Sequence, residues 1–437
     1  IALYSLNRYE EAIECYDKAI ELNPNKPWYW YFKGIALYSL NRYEEAIECY
    51  DKAIELNPNE PIYWNNKGFA LYSLNRYEEA IECYDKAIKL NPNNPTYWNN
   101  KGDALYSLKR YEEAIECYDK AIELNPNEPI YWFGKGKALY SLKRYEEAIE
   151  CFDKAIELNP NEPIYWFGKG YALYYLERYE EAIECFDKAI KLNPNEPDYW
   201  NNKGNALYSL KRYEEAIECY DRAIELNPNE PIWWDNKGDA LRKLGRYEEA
   251  IKCYDKAIEL NPNNPDYWNN KGIALYSLNR YEEAIECYDR AIELDPNEPI
   301  WWDNKGDALR ELERYEEAIK CYDKAIELNP NNPIYWNSKG IALYSLKRYE
   351  EAIKCYDKAI ELNPNNPIWW INKGGALMEL KRYEEAIEHY DRAIELDPNN
   401  LWYWSNKGDA LMKLGRYEEA VKCFQKAREL GYKFGYK

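Results

Sequence analysis

The residue types in this chain that are best suited to acid–base or nucleophilic chemistry are its adjacent glutamates, its twelve cysteines and its single histidine. Two carboxylates side by side can divide the roles of general acid and general base, and a thiolate can act as a nucleophile. Each of these features repeats along the chain, however. Pairs such as Glu78-Glu79 recur at the start of every second helix, where they favour the helix dipole, and His389 stands where other copies have Cys. We therefore predict no catalytic residue and no enzyme activity.

The spacing of the cysteines also bears on metals and disulfides. The sequence contains no C-x-x-C pair and no Cys/His cluster, so we predict no metal site and no cofactor. The thiols recur once per repeated segment, and stacked copies would lie about 10 Å apart, whereas a disulfide needs Cα atoms roughly 4.4 to 6.8 Å apart. Free thiols are typical of a reducing compartment, which predicts a cytoplasmic protein.

Charge and composition exclude several classes of partner. The chain has 58 Lys plus Arg against 78 Asp plus Glu, a formal net charge of −20, whereas a nucleic-acid binder needs a basic face. No segment approaches the roughly 20 apolar residues of a membrane span. Aromatic residues make up 16% of the chain, too many for a disordered acidic tail. We therefore predict an acidic, packed protein that binds neither nucleic acid nor membranes.

A strict internal repeat organises the whole sequence. The segment beginning at Pro61 returns every 34 residues without insertion or deletion, which indicates one repeat array instead of several globular domains. We predict a truncated first repeat at residues 1–26, eleven complete repeats at 27–400, a terminal repeat at 401–434 and a tail at 435–437. Because the sequence opens inside a repeated phrase without Met, we expect a fragment or a processed piece. We also expect the truncated end to fray or self-associate.

The sequence pattern predicts two helices in each repeat. In the repeat beginning at Pro61, apolar residues fall at helical spacing in two stripes, separated by a short turn at Asn75-Arg76. The second helix must end near Leu90 or Asn91, because Pro92 disfavours helical geometry at the residue before it. A pair of short helices cannot bury both stripes alone, so stacking of neighbouring repeats must complete the core.

Seven positions of this pattern resemble the tetratricopeptide repeat signature, and they recur in nearly every copy. In the repeat beginning at Pro61 they are Trp64, Gly68, Leu71, Ala80, Tyr84, Ala87 and Pro92. The resemblance implies an all-α fold, a right-handed superhelical α-solenoid of antiparallel helix pairs whose first helices line a concave groove. It also implies peptide or protein clients. The chain departs from the family at Lys67 and its equivalents, where an apolar residue is usual. We expect this lysine to lay its stem along the core and to pair with a neighbouring acid.

Comparison of the copies shows which positions are free to change. Counted from the first residue of the repeat, positions 2, 5, 6, 9, 12 and 13 vary most, and helical spacing places them on one face of the first helix. We predict that this variable face is a binding groove; the alternative is that it is merely exposed to solvent. Aromatic residues that we expect to contact a client are Phe69, Phe133, Phe167 and Tyr171. Acidic residues that we expect to favour basic side chains are Asp239 and Asp307.

Two rows of one residue type run along the variable face. Position 12 is Tyr in eight repeats, including Tyr38, Tyr72 and Tyr106, and these rings either contact a client or only pack on one another or on the adjoining turn. Position 6 is Asn in another eight. An amide matches a peptide unit in donor and acceptor, so such a row can hold an extended backbone; the alternative is that it hydrates the helix or bonds a neighbouring repeat. The predicted asparagines are Asn66, Asn100, Asn202, Asn236, Asn270, Asn304, Asn372 and Asn406.

These patterns predict a protein interaction scaffold that binds extended peptide segments or partner proteins. Positions 2, 5 and 6 contain no Lys or Arg, so a clamp for a terminal carboxylate is not expected there. The competing hypothesis is a structural spacer or a self-assembling module without a specific client, joined end to end through the truncated N-terminal repeat. Near-identity of the repeats favours that alternative, whereas the clustered aromatic and Asp/Arg residues favour binding.

Overall fold

A computed structural model describes residues 8–431 of the chain, which form 25 α-helices and no β-strand within that range. The chain divides into two compact blocks, residues 1–226 and 227–437. In the N-terminal block the helices are α1 (Tyr9–Leu22), α2 (Pro27–Ser39), α3 (Tyr43–Leu56), α4 (Pro61–Ser73), α5 (Tyr77–Leu90), α6 (Pro95–Ser107), α7 (Tyr111–Leu124), α8 (Pro129–Ser141), α9 (Tyr145–Leu158), α10 (Pro163–Tyr175), α11 (Tyr179–Leu192), α12 (Pro197–Ser209) and α13 (Tyr213–Leu226).

The C-terminal block continues the same alternation of first and second helices. Its helices are α14 (Pro231–Lys243), α15 (Tyr247–Leu260), α16 (Pro265–Ser277), α17 (Tyr281–Leu294), α18 (Pro299–Glu311), α19 (Tyr315–Leu328), α20 (Pro333–Ser345), α21 (Tyr349–Leu362), α22 (Pro367–Glu379), α23 (Tyr383–Leu396), α24 (Leu401–Lys413) and α25 (Tyr417–Glu429). Within each block, successive helix pairs stack to form an all-α solenoid. The right-handed superhelical sense stays a prediction.

The helix ends follow from local chemistry. Pro61 is the first residue of α4, where a missing N–H leaves no bond unmade. The turn after α4 places Asn75 at φ 60°, and the same turn contains Gly245 and Gly415 in later repeats, since glycine adopts this left-handed conformation readily. The second helix α5 ends at Leu90 as predicted, because Pro92 follows two residues later.

Within a repeat, the two helices approach most closely at glycine. A Cβ atom on Gly68 would lie 2.7 Å from Cε1 of Tyr84, a distance that real side chains do not tolerate. Ala80 on the second helix is completely buried, and Tyr84 and Leu71 are nearly so. Gly68 and Ala80 therefore allow the two helices to pack closely.

The lysine before that glycine pairs with the preceding repeat. Lys67 Nζ lies 2.6 Å from Oδ1 of Asp51, on the second helix of the repeat before, while most of its stem is covered. Trp64 adds a second link, because its Nε1 donates to the carbonyl oxygen of Pro58 at 3.0 Å. The predicted acid partner is thus Asp51. The equivalent pairs are Lys33–Asp17, Lys101–Asp85, Lys135–Asp119, Lys169–Asp153, Lys203–Asp187, Lys271–Asp255, Lys305–Asp289, Lys339–Asp323, Lys373–Asp357 and Lys407–Asp391.

Two predicted segments lie outside the described residues. These are the partial first helix before residue 8 and the C-terminal tail at residues 435–437. The predicted self-association of the N-terminal end stays a prediction. Among the helices of residues 8–431, none is long and apolar enough to cross a bilayer.

Candidate functional site on the first helices

The structure divides the variable face into buried and open positions. Position 5 lies against the neighbouring first helices and is buried where it carries a small polar residue, as at Asn65 and Asn337. Position 2 is exposed in most repeats, as at Ile130 (43%), whereas position 9 is exposed in some repeats, as at Phe69 (44%), and half-buried in the others. A client can therefore contact positions 2 and 9 directly, whereas most residues at position 5 are reached only through their neighbours.

The asparagine row connects consecutive repeats. Asn100 Nδ2 donates to Oδ1 of Asn65 in the previous repeat at 3.0 Å. Equivalent bonds link Asn304 to Asn269 at 2.9 Å, Asn372 to Asn337 at 2.8 Å and Asn270 to Asp235 at 3.0 Å. These contacts agree with the alternative that the amides bond a neighbouring repeat.

The remaining asparagines are more varied. Asn66 donates to the hydroxyl of Tyr31 at 3.1 Å, and Asn202 donates to the carbonyl oxygen of Asp198 at 2.8 Å. Asn236 and Asn406 are half-buried at the same position. An amide has two N–H donors and one acceptor oxygen, so a single bond to a neighbour does not exhaust it. The predicted peptide clamp stays a prediction.

The tyrosine row packs on the start of the second helix. The Tyr38 ring lies 5.1 Å from that of Tyr43, and its hydroxyl is 2.8 Å from Oγ of Ser73 in the next repeat. Tyr72 and Tyr106 make the same hydroxyl contact at 3.2 and 3.3 Å, and across all eight repeats the ring centroids are 5.1 to 5.5 Å apart. This arrangement favours the packing alternative for the row. Contact of these rings with a client stays a prediction.

Predicted aromatic residues of the N-terminal block meet around one open cleft. Phe133 and Phe167 occupy position 5 of α8 and α10, and their rings lie 5.0 and 4.9 Å from tyrosine rings of the following repeats. The cleft has a volume of about 190 Å³. Its lining is Tyr106, Phe133, Lys137, Tyr140, Phe152, Ile164, Phe167, Gly168 and Tyr171. Phe69 lies away from this cleft, with its ring 5.3 Å from Tyr38.

Tyr171 and Lys137 form the polar part of the cleft. Tyr171 stacks 5.7 Å from Phe167, and burial raises its pKa to about 12. Lys137 Nζ lies 4.6 Å from the ring centroid of Tyr106 and 5.8 Å from that of Phe133, within the range of cation–π attraction. Sequence analysis missed Lys137. The available signal was that no other complete repeat carries a cation at position 9.

The predicted acids of the C-terminal block are already paired within the protein. Asp239 accepts from Nη2 of Arg242 at 2.9 Å and from the hydroxyl of Tyr254 at 2.8 Å. Asp307 makes the same pair of contacts with Arg310 and Tyr322, at 2.7 and 2.8 Å, and burial raises its pKa. Their predicted preference for basic side chains stays a prediction, but the charge they offer is partly neutralised.

Two further acids of this face are buried between helices. Asp235 and Asp303 are 8% and 5% exposed, and burial raises the pKa of each to about 7. Asn270 donates to Asp235, whereas Ser338 replaces that asparagine in the repeat after Asp303. The Ser338 hydroxyl is a hydrogen-bond donor to the Asp303 carboxyl and lowers its pKa, but Oδ1 of Asp303 has no hydrogen-bond partner among residues 8–431.

The thiols and the histidine are held in unreactive surroundings. Eleven of the twelve free cysteines are buried, and burial raises the pKa of Cys83 and most of its equivalents to about 11. Burial and the nearby Lys373 lower the pKa of His389 to about 4, so its ring is neutral at pH 7. Within residues 8–431, no group of three or more His, Cys, Asp or Glu side chains could hold a metal ion.

Comparison with family models finds tetratricopeptide repeats in both blocks. One tetratricopeptide repeat model matches residues 66–129, 167–231, 236–299 and 304–367. A TPR repeat model matches residues 2–40, 34–74 and 374–415. Further tetratricopeptide repeat models match residues 129–162, 402–430, 204–267 and 355–388. No curated protein sequence matches the chain.

Many solved structures resemble the chain, and three illustrate the range. Yeast Tom70 is 18% identical, with 93% of this chain and 92% of Tom70 covered at a TM-score of 0.42. YrrB, described as a TPR protein with an unusual peptide-binding site, is 29% identical over 42% of this chain and 94% of its own, with a TM-score of 0.37. The APC/C hetero-tetramer Cut9-Hcn1 is 15% identical, with 98% and 92% covered and a TM-score of 0.44.

Proposed function

We propose a scaffold function for this chain, which belongs to the tetratricopeptide repeat family. It binds extended peptide segments or partner proteins along the variable face of its first helices. The observation that carries this proposal is the cleft around Phe133 and Phe167. A face that served only to separate other parts of an assembly would not need half-buried aromatic rings around an opening of about 190 Å³.

Binding of the peptide backbone and discrimination between peptide side chains are assigned to different residues. The asparagine row supplies amide groups at a regular spacing, which suits a repeating peptide backbone and reads little of its sequence. The open residues at positions 2 and 9, together with the aromatic cleft, supply the contacts that distinguish one side chain from another. Affinity and sequence preference should therefore respond to different substitutions.

The test is a displayed library of unstructured peptides, presented to three forms of the full chain. These are the parent, a variant with Ala at Asn66, Asn100, Asn270 and Asn304, and a variant with Ala at Phe133, Phe167 and Tyr171. The asparagine variant should enrich the same sequences with weaker affinity, by about 0.5 to 1.5 kcal/mol for each lost bond. The aromatic variant should enrich different sequences.

A matched control separates loss of a contact from loss of order. Asn59, Asn93, Asn127 and Asn161 lie exposed in the loops between repeats, and their replacement by Ala removes the same number of amides away from the variable face. This control should bind as the parent does. If the parent enriches no sequence, the spacer hypothesis is the better one. If the asparagine variant binds equally tightly, the row serves only to join repeats.

A further inference from the structure

The cleft of the N-terminal block exists because two consecutive repeats depart from the pattern in the same way. Where six of the twelve complete repeats have Asn-Asn or Asp-Asn at positions 5 and 6, these two have Phe133-Gly134 and Phe167-Gly168. Relative to Asn-Asn, the change removes two amide side chains and adds one ring in each of the two repeats. A Cβ atom on Gly168 would lie 3.1 Å from Cε1 of Phe152 and 3.3 Å from Cε2 of Phe133, so any larger residue there must enter the space that is now open.

The size and the walls of the cleft suit one aromatic ring. Its volume of about 190 Å³ exceeds the roughly 150 Å³ of an apolar protein cavity that accepts benzene. Phe133, Phe152, Phe167 and Tyr171 offer ring faces and edges, which an inserted ring can meet in tilted or offset geometry.

Lys137 adds a positive charge at this site. It is exposed, and its ammonium group lies over the ring of Tyr106. Asp103 is the acid whose pKa responds to Lys137, but its two carboxylate oxygens accept hydrogen bonds from Tyr118 at 2.7 Å and Asn99 at 3.0 Å. The ammonium group is therefore placed to pair with a carboxylate that arrives with a ligand.

We infer that the cleft is an anchor site for an extended peptide segment which inserts an aromatic side chain and pairs an adjacent acidic side chain with Lys137. The inference rests on the proposed function and specifies its client. One acid is what the site fits, because the chain carries a net charge of −20 and repels a segment rich in acids. The aromatic side chain supplies most of the affinity, and the carboxylate supplies selectivity.

The experiment uses three capped Gly/Ser nonapeptides that differ only at the centre, with Glu-Phe, Gln-Phe or Glu-Ala, titrated against the full chain by calorimetry or NMR. The Glu-Phe peptide should bind tightest. Gln-Phe should bind about twofold to fivefold more weakly, the usual effect of one partly exposed ion pair. Glu-Ala should bind at least about tenfold more weakly, since it buries no ring.

Two variants test the assigned residues. Gly168→Asn restores a side chain to the cleft and should reduce Glu-Phe binding to the level of Glu-Ala. Lys137→Gln should make Glu-Phe and Gln-Phe bind equally, an effect that a general loss of order cannot produce. The control is Gly245→Asn in the turn after α14, where an added Cβ meets no atom within 4 Å and where other repeats carry asparagine in the same left-handed conformation, and its binding should not change.

Specific results would overturn the inference. Equal binding of Glu-Phe and Glu-Ala, absence of binding of all three probes, or full binding by Gly168→Asn each contradicts it. Failure of these probes alongside enrichment by the parent in the peptide library would leave the proposed function standing without this anchor. Absence of probe binding together with absence of any enrichment by the parent would contradict both the anchor and the proposed scaffold function.

Discussion

Position 5 of the first helix is filled by opposite chemistries in two regions of the molecule. In α8 and α10 it is Phe133 and Phe167, whose rings rest on tyrosine rings of the next repeat. In α14 and α18 it is Asp235 and Asp303, which are buried and depend on a donor from the next repeat. The same contact between neighbouring first helices is therefore made in two ways. Apolar rings complete it and leave a surface cleft, whereas a buried acid makes its stability depend on pH.

The largest effect should come from moving the acid into the aromatic region. Phe167→Asp removes ring contacts with Phe186 and Tyr199 and introduces a carboxylate among apolar walls. We expect the free energy of local opening of α10 and α11 to fall by about 3 kcal/mol, measured by amide hydrogen exchange because long arrays do not unfold in one step. Phe167→Leu is the control and should lose less than half as much. A loss below about 1 kcal/mol would show that the contact tolerates either chemistry.

The second effect is a pH dependence confined to the acidic region. Burial raises the pKa of Asp235 and Asp303 to about 7, above the ordinary value near 4, so between these limits the folded state binds more protons than the unfolded state. Stability around α14 and α18 should therefore fall as pH rises from about 4 to 7, by at most about 1.4 kcal/mol per pH unit for each carboxyl, and then level off.

The variants Asp235→Asn and Asp303→Asn should reduce that dependence and raise stability at pH 8, while the raised pKa of Asp307 leaves a smaller slope in α18. Hydrogen exchange rates, corrected for intrinsic pH effects, measure the change in each helix separately. The helices α8 and α10 serve as the internal reference and should show no such slope. An equal dependence of stability on pH in both regions would show that Asp235 and Asp303 are not its cause.

A smaller effect should follow from replacing the hydroxyl donor of Ser338 with an amide, which has two N–H donors. Ser338→Asn gives Asp303 the amide that Asn270 gives Asp235, and we expect local stabilisation of about 1 kcal/mol at pH 8. The reverse change, Asn270→Ser, should destabilise the Asp235 contact by a similar amount. Hydrogen exchange of α18 and α14 measures both. If Ser338→Asn has no effect, Asp303 already obtains its donor from elsewhere, for example from water.

The smallest effect concerns the half-buried acids at position 9. Asp239 is paired with Arg242 and Tyr254, so Asp239→Asn should weaken binding of basic peptides at low salt by less than about threefold. Arg242→Gln should strengthen it, because the carboxylate loses its internal partner. A large loss with Asp239→Asn would show that this carboxylate faces the client more freely than its contacts suggest.

Much of the fold could be predicted because proline, glycine and the apolar stripe each constrain the chain locally. Pro92 predicted the end of α5, and the two apolar stripes predicted the pair of helices in each repeat. The partner of Lys67 could not be named, since it depends on how one repeat is rotated against the previous one. The same limit applies to positions 5 and 6: adjacent in sequence, they diverge by about 100° around the helix, so Asp303 is buried while Asn304 remains partly open.

The cleft shows the same division between local and non-local information. Phe133, Phe167 and Tyr171 stood out in the sequence as unusual residues on a variable face. That their rings surround one opening, with Lys137 beside it, depends on side chains from three repeats meeting in space. Comparison of copies finds which residues differ, whereas only the packed arrangement shows which differences act together.

The repeated link between Lys67 and Asp51 carries a consequence for how the protein comes to be assembled correctly. In each of the eleven pairs described above the lysine meets an aspartate 16 residues earlier, and nothing in the pair distinguishes one copy from another. A helix could thus dock on a distant copy as well as on its own neighbour. The short loop at residues 57–60 opposes this error, because it holds the correct partner at a far higher effective concentration. Emergence from the ribosome adds a second safeguard, since each pair can settle on the one made just before it. Correct pairing of neighbouring repeats thus depends on their order along the chain and on the order in which they are synthesised. An array refolded all at once from denaturant should form mispaired states more often than one made by translation.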